Sequence, residues 1–192
     1  ISAGGNVTGD GQVNGRASGD AADLNGAGAA ADFSIIANGN IAINAVMTFT
    51  GAAPDGEGGD LDFLALGSFT QASTADFLTY GSGLEGCGGR VSISAGTTAT
   101  VNMVDVHGAT CGGGEVFIDA GTTINVNKTI DATGTGIDTA GGQIIIASGD
   151  VLTLKDTARI RAQGESPAPG GIIELSGCTI NRVGGPRPII DA

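Results

Sequence analysis

Tryptophan is absent from this chain, tyrosine occurs once as Tyr80, and aromatic residues fill only 4% of the 192 positions. That scarcity removes the stacked aromatic platform on which sugar-binding sites usually rest. Basic residues are few as well. Eight Lys and Arg stand against 20 Asp and Glu, a net charge of -12. Such a surface repels phosphate backbones, so no nucleic-acid partner is expected. No apolar run approaches the roughly 18–20 residues of a membrane-spanning helix, and membrane insertion is not expected either. The one histidine, His107, has no second histidine, cysteine or serine near it in metal or triad spacing. The chain begins at Ile1, without Met or a signal-peptide pattern, as expected of a processed product or a piece of a longer protein.

Glycine, by contrast, fills 36 positions, and hydrophobic residues reach 41%, mostly as Ala, Ile, Val and Leu. Small and β-branched side chains with frequent glycine suit a narrow core and tight turns. A disordered glycine-rich linker would share the glycine but not the alternation of apolar residues. Gly58-Gly59, Gly88-Gly89, Gly113-Gly114, Gly141-Gly142 and Gly170-Gly171 punctuate the chain, each followed by such a strand: DLDFLAL, RVSISAG, EVFIDAG, QIIIASG and IIELSG. An elastic period in this range marks a solenoid, whose units bury a core only by stacking on one another.

The clearest unit places Val116, Ile118 and Ala120 inward on one strand, Ile124 and Val126 on a second, and Ile130 and Ala132 on a third. Phe33, Ile35, Ala37, Ile41, Ile43, Met47 and Phe49 match it at one constant offset, although no Gly-Gly precedes them. Ile144, Ile146, Leu152, Leu154, Ile160 and Ala162 repeat the scheme, as do Val91, Ile93, Ala95, Ala99 and Val101, whose third strand is blurred. The pattern predicts an all-β chain folded as a right-handed parallel β-helix of six or seven coils with three short strands each. Residues 1–32, with Val7, Val13 and Leu24 as core candidates, read as a thin first coil or cap. Residues 33–183 form the coils, and 184–192, with Pro186 and Pro188, an extended tail.

Cys87 and Cys111 each precede a Gly-Gly corner and would meet across neighbouring coils, at the Cα spacing of a disulfide. Cys178 is left over. Asn44, Asn102 and Asn127 share one place after the second strand, with Lys155 in the next coil, and read as a structural asparagine ladder. Asp55, Glu57, Asp60 and Asp62 supply dense oxygen ligands for Ca²⁺, but a solvated acidic turn is the plainer reading; no other cofactor is expected. Asp105 and Asp131 on successive coils, near Arg159 and Arg161, resemble an acid–base cluster, yet a ladder of surface charges explains them equally, and no enzyme is expected. Thr97–Thr100 and Thr122-Thr123 invite comparison with threonine arrays that bind ice, but the next rung, Asp150-Val151-Leu152-Thr153, breaks the pattern.

The repeat GGxIxIxA…I-x-V…I-x-A-x-G resembles the glycine-rich β-helical repeats of secreted bacterial surface proteins, the autotransporter passengers and filamentous-haemagglutinin-like adhesins. The resemblance covers roughly residues 33–183 and implies export, a cell-surface position, and structural or adhesive work. Because β-helix ends carry unpaired strand edges, Ile1, Val7 and Val13 at one end and Ile189 and Ile190 at the other are the expected contacts for head-to-tail self-association. The expected function is an extracellular structural solenoid, a subunit or section of a surface fibre. An adhesin module for a glycan or host-surface ligand, acting through Asn102, Asn127 and Lys155, is the alternative, and a polysaccharide-active enzyme a third.

Overall fold

A computed structural model describes residues 1–16, 28–52, 56–83, 85–183 and 189–192. Leu24, Asp55, Pro186 and Pro188 lie outside them. Among the described residues there is no helix, and so none long and apolar enough to cross a membrane. The described residues form three parallel sheets of seven strands each, a β-solenoid with three strands in every coil.

The first sheet stacks Ser2–Ala3, Phe33–Ala37, Asp60–Ala65, Arg90–Ala95, Glu115–Ala120, Gln143–Ser148 and Ile172–Ser176. The second stacks Val7–Gly9, Ile41–Ile43, Phe69–Gln71, Thr98–Val101, Thr123–Val126, Val151–Lys155 and Thr179–Val183. The third stacks Gln12–Asn14, Val46–Thr48, Asp76–Leu78, Met103–Asp105, Thr129–Asp131, Arg159–Arg161 and Ile189–Asp191. One strand from each makes a rung, numbered one to seven along the chain. The C-terminal residues 189–191, expected in an extended tail, thus form the third side of rung seven by pairing with Arg159–Arg161.

The register is residue for residue. Phe33 pairs with Leu61, Leu61 with Val91, Val91 with Val116, Val116 with Ile144 and Ile144 with Ile173. Inward positions therefore form straight columns of Ile, Val, Leu, Ala and Phe, almost all fully buried from rung two to rung six. Each large aliphatic side chain so buried contributes about 1.5–3 kcal/mol. Rung three fills its cross-section with Phe63, Phe69 and Phe77, ring centroids 5.1–6.3 Å apart. Phe69 has Ala99 as its partner in rung four, so a large residue stacks on a small one.

The blurred third strand of rung four has a local cause. Only Asn102 and Met103 separate buried Val101 from buried Val104, whereas Asn127, Lys128 and Thr129 separate Val126 from Ile130. The corner is one residue shorter, which shifts the phase. Rung three has a longer corner, and Gln71, buried in a core column, bridges the mismatch. Its Nε2 donates to the Ala75 and Met103 carbonyls at 2.9 and 2.7 Å, and its Oε1 accepts from the Asn102 N–H at 2.8 Å. The buried amide is satisfied, which is why an apolar column tolerates it.

Between the third sheet and the first, each coil makes a loop pinched at its base by one hydrogen bond. Gly59 donates to Phe49 O, Gly89 to Thr79 O, Gly114 to Val106 O, Gly142 to Ala132 O and Gly171 to Ala162 O. The donor is each time the second glycine of a Gly-Gly pair. Ala31, donating to Gly15 O, holds this place in the coil that lacks the pair. The first glycine sits so close to the pinch of the next coil that a Cβ would collide: at Gly141 it would lie 1.8 Å from Ala162 O, and at Gly113 1.9 Å from Ala132 O. Loop length varies outside the pinch, which is how an elastic repeat in sequence becomes a regular rung in space.

Gly141→Ala is expected to cost at least about 3 kcal/mol, because the crowding atoms are backbone held by two ladders. Gly4→Ala, with nothing within 4 Å of its Cβ, should stay within about 0.5 kcal/mol of the parent. Denaturant unfolding followed by circular dichroism compares them; equal midpoints would show that the corner does not constrain the rungs.

Candidate functional site

Cys87 and Cys111 form a disulfide, with Cα atoms 4.8 Å apart, clipping the loop after rung three to the loop after rung four. Cys178 is free and exposed. A disulfide fits an oxidising compartment. Beside it an open groove of about 490 Å³ runs along the glycine corners, with Asp60, Arg90 and Glu115 on its rim.

Two of the four acids expected at a calcium site are engaged by a residue that the sequence did not single out. Arg90 Nη2 lies 3.3 Å from Asp60 Oδ2 and 3.3 Å from Asp62 Oδ2. Partial burial raises the Asp60 pKa above its ordinary value, and Arg90 pulls it back. Glu57 lies on the preceding loop, and Asp55 is outside the described residues. Among the described residues, no three His, Cys, Asp or Glu side chains are gathered to hold a metal.

The asparagine ladder does not form as expected. Asn44, Asn102 and Asn127 are equivalent in register, but Ala72 occupies the rung between Asn44 and Asn102. The bonds instead reach back to different partners. Asn44 Nδ2 donates to Asp10 Oδ1 at 2.9 Å, and buried Asn102 donates from Nδ2 to Gln71 O at 2.5 Å. Asn127 Oδ1 is buried without a hydrogen-bond partner. A true ladder exists one corner earlier, where Asn6 Oδ1 accepts from Asn40 N and Asn40 Oδ1 from Ser68 N, both at 2.8 Å.

On the third sheet Asp105, Asp131, Arg161 and Asp191 share one outward column, while Arg159 pairs with Thr129 on another. Arg161 Nη1 is 3.9 Å from Asp131 Oδ2. His107 Nδ1 lies 2.6 Å from Asp105 Oδ1, and its ring stacks on Tyr80 with centroids 4.6 Å apart. The hydrogen bond to Asp105 raises the His107 pKa above 6.5 despite burial. Both carboxylates also do backbone work: Asp105 Oδ1 accepts the His107 N–H and Asp131 Oδ1 the Thr133 N–H, each at 3.1 Å. They close the turn into the pinched loop, a role that explains their recurrence on successive rungs.

The two ends of the rod differ from its middle. At the first rung Ile1, Val7 and Val13 line an apolar cavity of about 110 Å³ together with Phe33, Ile35 and Met47. Ile1 is 67% exposed. At the seventh rung the inward columns end on Ile173, Leu175, Ile180 and Ile190, the last two 48% and 46% exposed. Ile189 pairs beside Arg159 and faces outward, so Ile190 alone of the pair continues a core column. Ile173, Leu175 and Ile180 carry the same alternation as their neighbours and could have been placed at this end from the sequence.

Removing the disulfide by Cys87→Ser with Cys111→Ser should lower stability by about 3 kcal/mol in urea; an unchanged midpoint would mean the loops are held without it. His107 supplies a pH test. Its folded pKa is raised, so its stabilisation is complete below 6.5 and is lost as pH rises through the folded value. Stability should therefore fall as pH rises above 6.5, and His107→Asn should flatten that profile. A parent profile that rises over this window would refute the assignment.

Comparison with protein-family models, curated proteins and solved structures finds no match to this chain.

Proposed function

We propose that the chain is an extracellular structural β-solenoid, a subunit or section of a cell-surface fibre in which rung one of one unit stacks on rung seven of the next. The observation that carries this reading is the apolar core running uncovered to both ends, at Ile1, Val7 and Val13 and at Ile173, Leu175, Ile180 and Ile190. Strand edges of this kind pair readily with further strands. A head-to-tail contact between unlike ends generates an open fibre. The contact is the same whether the next rung belongs to the same polypeptide or to another copy. The disulfide and the acidic composition support a secreted or cell-surface setting.

The adhesin alternative around Asn102, Asn127 and Lys155 is weakened by Asn102, which is buried and bonded within the chain. The third-sheet carboxylates are accounted for by turns and ion pairs, so the enzyme reading gains no support from them.

Sedimentation and negative-stain imaging of the 192-residue chain test the proposal. The parent is expected to form linear assemblies as its concentration rises. Ile180→Lys with Ile190→Lys, at exposed positions, should keep the fold by circular dichroism and remain monomeric. Dispersed parent monomers at high concentration would sink the reading.

A further inference from the structure

The outward face of the second sheet differs from the other two. One column runs through Thr70, Thr100, Asn125, Thr153 and Asn181, each paired in register with the next. Two residues back along each strand, a second column carries Thr98, Thr123, Val151 and Thr179. Neither column holds a charged residue, in a chain whose Asp and Glu alone number 20. The same surface on the first sheet bears Asp60, Asp62, Arg90, Glu115 and Asp119, and on the third Asp105, Asp131, Arg159 and Arg161. Lys155 and Asp150 stand at the edges of the uncharged face, and Arg182 lies in an inward column.

The rung Asp150-Val151-Leu152-Thr153, which in sequence breaks the threonine pattern, keeps the first column in space, although Val151 takes a threonine's place in the second. Leu152 is buried in the core, Asp150 sits at the corner, and Thr153 keeps the column. Among the described residues, the hydroxyls of Thr70, Thr98, Thr100, Thr123 and Thr153 have no hydrogen-bond partner within the protein. They project from strands fixed on both sides, so their spacing is set before anything binds. That spacing is about 4.8 Å between rungs and about 6.6 Å between columns.

We infer that this face binds the ordered water lattice of an ice surface. The two spacings are close to repeats of oxygen positions in ice. Each threonine offers a hydroxyl that can take a lattice position and a methyl that restricts the orientation of neighbouring water. Charged groups would hold water radially and spoil the lattice, and here they are missing. A crystalline polysaccharide would call for aromatic rings, and the two columns contain none. This inference is independent of end-to-end stacking, which leaves the side of the rod open.

Inhibition of ice recrystallisation by the full chain tests it, with Thr100→Lys on the face and Ser92→Lys on the first sheet as control. Thr100→Lys should raise the concentration needed to halve crystal growth by about tenfold or more, while Ser92→Lys leaves it unchanged. Circular dichroism checks that each variant folds; if Thr100→Lys does not, Thr153→Lys makes the same test two rungs away. Parent protein no better than an inert protein, or face variants as active as the parent, would overturn the assignment. So would retention on crystalline cellulose or chitin with none on ice.

Discussion

Every other feature of this molecule follows from parallel strands held about 4.8 Å apart in continuous register. That spacing leaves no room for a side chain where the pinch of one coil stacks on that of its neighbour, which is why glycine recurs at Gly89, Gly114 and Gly142, each of which donates back to its own coil. It stacks like residues in columns, so a narrow core can be filled by Ile, Val and Ala. It also pushes all variation in length into corners and loops, where an extra residue costs little. Gln71 shows the exception: where neighbouring corners differ in length inside the core, a buried amide with three hydrogen bonds joins them.

The same regularity explains what could be read in the sequence. Constant offset between Phe33–Phe49 and Val116–Ala132 is the ladder itself, carried through Leu61 and Val91. Cys87 and Cys111 were legible because each stands just before a pinch that fixes its height on the rod. Positions that depend on what lies between rungs were not. Asn44, Asn102 and Asn127 have the right phase, but Ala72 interrupts them and Gln71 captures Asn102. The pairing of Arg90 with Asp60 and Asp62 crosses from one coil to the next, a relation visible only once the register is known. Residues 189–191 were hidden for the opposite reason: three residues after two prolines carry too little alternation to announce a strand.

Three faces of identical backbone have been given different chemistry. The first and third carry carboxylates and arginines that pair across rungs or close turns, and the second carries two columns of threonine and asparagine without charge, with Lys155 at their edge. A scaffold whose core columns are shared by all faces can vary one face without disturbing the others, since outward residues meet neighbours on their own sheet, as Arg90 meets Asp60 and Asp62. The ends, by contrast, are where the core columns stop and apolar surface is exposed. The chemistry of the faces and the apolar surface of the ends are therefore separable properties of one rod.

Distance measurement along the rod tests this account most directly. In a Cys178→Ser background with the Cys87–Cys111 disulfide intact, spin labels at Thr8→Cys and Thr153→Cys sit on one column of the second sheet, five rungs apart. In-register stacking predicts a narrow distribution centred at about 24 Å. A broad distribution, or a centre displaced by a rung or more, would contradict the continuous ladder.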